Sequence, residues 1–148
     1  MGFAMYKHIL IATDGSELAQ KAVATGLALA KELKAKVTAV TATEPWTAMV
    51  TSEPAFAFPI DEIEKEAALN AARVLAAVSE AARKHNVACE TVNVKEFPAE
   101  GIIETAKARG CDLIVMSSHG RRGLAKVLLG SQATQVVTLS TVPVLICR

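Results

Sequence analysis

Short β-rich apolar runs alternate with helix-period stretches along all of this 148-residue chain, and that alternation narrows the folds open to it. Residues 7–13 (KHILIAT) are apolar almost without a break, as a strand buried on both faces must be. A turn follows at Asp14-Gly15-Ser16-Glu17, with Ser16 placed as an N-cap and Glu17 in the first helical turn. Leu18, Ala22, Leu29 and Leu33, with Val23 and Gly26 beside them, then keep a helical period to Lys34. Residues 36–43 (KVTAVTAT) predict a second strand, 87–94 a third, 111–116 a fourth, and Val142 to Cys147 (VPVLIC) a fifth. A long helix is expected from Asp61 to His85 on the stripe Ile63, Ala67, Ala71, Val74, Val78 and Ala82, with Asn86 ending it. Another starts at Pro98 and stops at Gly110, and a last one runs from Ser131 to Ser140. Strands alternating with helices define an α/β fold, a doubly wound, mainly parallel sheet of five strands with helices on both faces. Such sheets bind ligands beyond the carboxyl ends of the strands, where the strand order reverses.

Composition removes several classes of function. The length predicts one domain, residues 1–148. The formal charge is only +1, without the basic stripe of a nucleic-acid or anionic-membrane protein. No apolar run approaches the ~20 residues of a membrane span, and residues 1–6 lack the basic and apolar parts of a secretory leader. Cys89, Cys111 and Cys147 are far apart, and each lies in or beside a strand-like run. This is the pattern of reduced core thiols in a cytoplasmic protein. His8, His85 and His119 make no ligand spacing with them, so no metal site is expected. Residues 44–59 carry Pro45, Pro54 and Pro59 with Trp46, Phe56 and Phe58. That density of proline excludes a helix or central strand and leaves two alternatives: a flap beside a ligand, or a cover for the core or a partner subunit.

The fourth strand ends in Ser117 and Ser118, and Gly120, Gly123 and then Gly130-Ser131 follow, the last pair opening a helix. A strand that breaks into a glycine loop and feeds a helix N-terminus offers unpaired N–H donors and a positive dipole end to an anion. The glycines by themselves are equally compatible with simple turns. Asp14, one residue past the first strand, suits a helix-capping aspartate on spacing alone.

The spacing from Gly120 to Gly130, with Ser131 next, resembles the loop of the nucleotide-binding universal stress proteins. The stretches HILIATDGSE, GCDLIVMSSHGRRGL, LLGS and VPVLI carry the resemblance over nearly the whole chain. The family loop runs Gly, two residues, Gly, nine residues, Gly, then Ser or Thr; Ser117 stands where its first glycine would. The resemblance implies strand order 3-2-1-4-5, an adenine nucleotide (ATP or AMP) as ligand, and Mg²⁺ accompanying ATP. It places Ala12 against the adenine, Asp14 near adenine and ribose, and Ala42 where backbone groups meet the adenine edge. Gly120, Gly130 and Ser131 would take the phosphates, with His119, Arg121 and Gly123 completing the loop set beside Ser117. A negative φ is expected at Ser117, which would make serine tolerable there. The resemblance also implies a homodimer through the final strand, and Val144→Lys is the corresponding probe.

Missing motifs restrict the chemistry. There is no Gly-Lys-Ser/Thr, no Ser-Gly-Gly after the first strand, and no carboxylate pair or His-Asp-Ser set. His119 is the one acid/base candidate in the loop. No catalytic residue is assigned, and the expected role is a regulatory or stress-response nucleotide binder without fast turnover. The alternatives are a slow ATPase or nucleotide-handling enzyme on the same fold, and a dimer scaffold with a vestigial site.

Overall fold

The computed structural model describes residues 5–45, 59–120 and 129–148. In chain order they form β1 (His8–Ala12), α1 (Glu17–Leu33), β2 (Lys36–Ala42), α2 (Ile60–Lys84), β3 (Cys89–Val94), α3 (Pro98–Arg109), β4 (Leu113–Ser117), α4 (Ser131–Leu139) and β5 (Val144–Cys147). The five strands lie in the order β3-β2-β1-β4-β5, and every pair is parallel. The order reverses between β1 and β4, as expected. Alternation along β1 divides the core in two. Ile9 and Ile11 pack with Leu27, Leu75 and Val78 on one face, and Leu10 and Ala12 pack with Ile102, Ile114 and Val136 on the other. A strand buried on both sides needs an unbroken apolar run, which is why residues 7–13 were legible.

Local signals set the helix ends. The Ser16 hydroxyl accepts from Ala19 N at 3.2 Å and caps α1. Gly110 ends α3 with φ 68°, and Asn86 lies just beyond α2 with φ 56°, both in the left-handed region. Lys34 takes the equivalent position after α1 with φ 56°, where glycine would have been unstrained.

One stripe differs from expectation in phase, and another at a single position. On α1 the buried residues are Ala19, Ala22, Val23, Gly26, Leu27 and Ala30, whereas Leu18, Leu29 and Leu33 are half-buried. The reason is closeness at one point: a Cβ at Gly26 would stand 2.6 Å from Ile11 Cδ1, so no side chain fits there against β1, although Val23 and Leu27 beside it are buried. On α2, Leu75 is buried and Val74 only half-buried, which keeps the spacing from Ala71 through Val78 to Ala82. Some strand ends shift as well. β4 includes Ser117, and β5 starts after Pro143, whose carbonyl accepts from Ile114 N at 3.0 Å but which has no N–H to give the ladder.

One polar chain runs from the buried His8 and Thr38 across the sheet to the exposed Glu90 and Arg109. His8 Nε2 is 2.6 Å from Thr38 Oγ1, Thr38 donates to Glu90 at 2.9 Å, and Arg109 donates to Glu90 at 2.8 Å. Burial is the main cause that pulls the His8 pKa below its ordinary value. Burial also pushes the Cys111 thiol up to about 11, so it stays a neutral core residue. All three cysteines are free.

Candidate functional site

β1 and β4 are neighbours, so the turn after Ala12 and the loop after Ser117 leave the same edge of the sheet side by side. The turn is fixed first. Thr13 N donates to Val40 O at 3.0 Å, Gly15 N donates to Thr13 Oγ1 at 3.1 Å, and Gly15 takes φ 79°. Asp14 Oδ1 accepts from Ser16 N at 2.9 Å, an Asx-type turn that leads into α1, whose cap is Ser16 and not Asp14. Its second oxygen serves a different purpose. A Cβ at Gly120 would stand 2.8 Å from Asp14 Oδ2. A side chain at Gly120 would therefore require the Asp14 carboxylate to turn aside. The two loops meet across the reversal point, as the strand order requires.

The other wall is built from the end of β4 and the start of α4. Ser118 N donates to Cys147 O at 2.8 Å, and Ser118 O accepts from Gly130 N at 2.8 Å. A Cβ at Gly130 would meet Ser118 O at 3.1 Å and His119 Cα at 3.4 Å. Gly130 has φ −67° and ψ 164°, which any residue adopts, so space and not conformation demands glycine. Gly130 is the N-cap of α4, no side chain caps that helix, and no acidic residue lies in its first turn. Its first intrahelical bond from Gly130 runs to Thr134 N, at 3.0 Å, so the N–H groups of Ser131, Gln132 and Ala133 lack intrahelical acceptors. The resulting concentration of donors and positive dipole favours an anion.

Ser117 closes β4 in register with Cys147, is buried, and is not among the residues with positive φ. Its hydroxyl donates to His119 O at 2.8 Å, so the serine braces the loop from within. The His119 ring is held at Nδ1 by Ser118 Oγ, 3.0 Å away, and its Nε2 is buried with no hydrogen-bond partner among the described residues. Ala12 ends β1 at 7% exposure on the α3/α4 face of the sheet. Ala42 ends the adjacent β2, pairs with Val94, and would be 3.8 Å from a Cβ at Gly101 of α3.

The carboxyl edge thus gathers Ala12, Asp14, Ala42, Ser117, His119, Gly120, Gly130 and Ser131. Arg121 and Gly123 lie outside the described residues, as do Trp46, Pro54, Phe56 and Phe58 of the proline-rich stretch. Sequence reasoning missed Ser118, which pins both His119 and Gly130. It also missed Gln132, whose side chain accepts from Ala99 N at 3.0 Å and joins the starts of α3 and α4. Neither has a motif signal, since Ser118 reaches Gly130 through its backbone carbonyl and Gln132 reaches Ala99 from far along the chain.

A doubly wound parallel sheet, with two loops in contact at its reversal point and an uncapped helix start beside them, defines an anion- or nucleotide-accepting class of α/β protein. The sequence pattern of the Universal stress protein family matches residues 5–148, and the chain belongs to that family. It is 36% identical over 151 residues to the universal stress protein YxiE of Bacillus subtilis, covering 97% of this chain and 100% of that one. Among solved structures it superposes on MJ0577, a protein studied as a case of structure-based assignment of biochemical function. The TM-score is 0.80, with 26% identity, over 97% of this chain and 96% of that one. A universal stress protein solved in complex with cAMP shares the fold, with TM-score 0.74 and 24% identity over 97% of each chain.

Proposed function

We propose that this protein, a single domain, binds an adenine nucleotide in the crevice between the Asp14 turn and the Gly120–Gly130 loop. ATP and AMP are the ligands that fit, with Mg²⁺ accompanying ATP, and the role is a stress-response or regulatory one without fast turnover. The observation that carries this is the approach of Asp14 Oδ2 to within 2.8 Å of the Cβ position at Gly120, beside an α4 start with neither cap nor acid. A side chain at Gly120 or Gly130 would fill the cradle. The N–H groups at the start of α4 suit phosphate, and Asp14 stands at the adenine and ribose end of the crevice. The cAMP complex of a relative supports the same use of the fold. Mass spectrometry of nucleotide retained through purification tests the ligand class: an adenine nucleotide is expected, and a guanine nucleotide would contradict the proposal.

Ser117→Gly is expected to change ATP affinity less than tenfold, about 1.4 kcal/mol. The serine backbone is unstrained, and its hydroxyl serves the loop. Calorimetry of this variant checks it. A gain of a hundredfold would mean that serine closes the site and would favour the vestigial scaffold.

The proposal includes a homodimer through β5 and a cytoplasmic setting, the latter in keeping with three free cysteines. Among the described residues β5 pairs only with β4, leaving one sheet edge uncovered. Leu145 of β5 is 38% exposed, and Val137 and Leu139 of α4 are exposed as well. Val144 packs against the core, so Val144→Lys would confuse folding with assembly; Leu145→Lys is the cleaner probe. Light scattering at micromolar concentration should give a dimer mass for the natural chain and a weaker dimer for Leu145→Lys. A monomer mass for the natural chain refutes the dimer.

A further inference from the structure

The opposite end of the sheet carries a basic basin. Lys31 lies in the last turn of α1, Lys34 caps that helix, Lys36 opens β2, and His85 caps α2. With small residues such as Ala35 and Ala88, these four line an open pocket of about 360 Å³. No acidic residue lines it. None of the three lysines is in an ion pair among the described residues, where the pairs are Arg83–Glu80, Lys95–Glu64 and Arg109–Glu90. Lys36 and Ala42 are the two ends of β2, so this basin is roughly 20 Å from the nucleotide crevice at about 3.3 Å per residue.

Helix C-termini favour cations, and that accounts for part of the charge. Each of α1 and α2 contributes about −0.5 elementary charge at its end, so three lysines exceed the compensation by about two. Lys36 belongs to a strand and compensates neither helix directly. Lys34 adds an independent observation. It takes φ 56°, in the left-handed region, at a position where α3 uses Gly110 with φ 68°. A lysine kept in a conformation that glycine adopts without strain indicates a use for its ammonium group.

We infer that this basin binds a small polyphosphate anion. Lysine is a compact point charge suited to phosphate, and three of them line one open concave volume. Among the described residues no Phe, Tyr or Trp lines the pocket to stack a base, and the net charge of +1 argues against a long nucleic acid. The site is separate from the nucleotide crevice and does not depend on it.

Titration of the isotope-labelled full chain with inorganic tripolyphosphate at low salt, followed by amide NMR, tests the inference. The expected result is shifts at Lys34, Lys36, Asn86 and Val87. Affinity for that set should fall at least about tenfold in the Lys34→Gln, Lys36→Gln double variant, as loss of two converging charges implies. Lys34→Gly should raise the melting temperature by relieving the backbone while weakening the same shifts. Shifts confined to Gly120, Gly130 and Ser131, or unchanged affinity in either variant, would overturn it.

Discussion

Gly130→Val is expected to lower adenine-nucleotide affinity at least about a hundredfold, roughly 2.8 kcal/mol. The backbone at Gly130, with φ −67° and ψ 164°, would accept valine without strain. The cost lies in the space around it. A Cβ would already stand 3.1 Å from Ser118 O and 3.4 Å from His119 Cα, both backbone atoms that cannot turn aside. The γ-methyls of valine add bulk in the same place. The start of α4 must then move from the end of β4, loosening the 2.8 Å bond from Gly130 N to Ser118 O. The methyls also cover the N–H groups that would face phosphate. Valine therefore disturbs the loop as well as blocking the ligand, and some loss of thermal stability accompanies the loss of binding. Calorimetry, with circular dichroism to verify the retained fold, measures both. Binding within threefold of the natural chain, on a folded variant, would reduce Gly130 to a turn residue.

Gly26→Val should destabilise the fold by about 3 kcal/mol, the upper part of the usual range for overpacking. The new Cβ would stand 2.6 Å from Ile11 Cδ1 and 2.8 Å from Cγ1. Ile11 is fully buried in the centre of the sheet, so it has nowhere to yield. Removing glycine from a helix interior gains a few tenths of a kcal/mol in helix propensity, too little to offset the clash. Urea unfolding should give a lower midpoint with an unchanged slope. An unchanged midpoint would contradict the close packing of α1 on β1.

Gly26 also shows where sequence alone stops. The helical period of α1 is plain from its apolar residues, but its phase is not, because the small residues Ala19, Ala22, Gly26 and Ala30 share the buried face with Val23 and Leu27 while Leu18, Leu29 and Leu33 stay half-buried. Small residues carry no hydropathic signal, and only the distance to the sheet reveals why they are needed. Signals with a local mechanism were legible: Ser16 as a cap, Gly110 as a stop, the unbroken apolar run of β1. The strand order came from the family resemblance, since no residue pattern encodes which strands become neighbours. The facing of Asp14 and Gly120 follows from that order. Their contact, and the bracing by Ser118, Gln132 and the Ser117 hydroxyl, arise between residues distant in the chain or through backbone atoms. Lys34 ran against the local rule that a left-handed helix end favours glycine, so it could not have been placed from propensity.

The most direct measurement of the central claim is calorimetric titration of the purified, nucleotide-free chain with ATP, AMP and GTP in the presence of Mg²⁺. The account predicts saturable binding of an adenine nucleotide at one site per chain, clearly tighter than GTP, and its loss in Gly130→Val. Equal weak heats for all three ligands, or none, would contradict it.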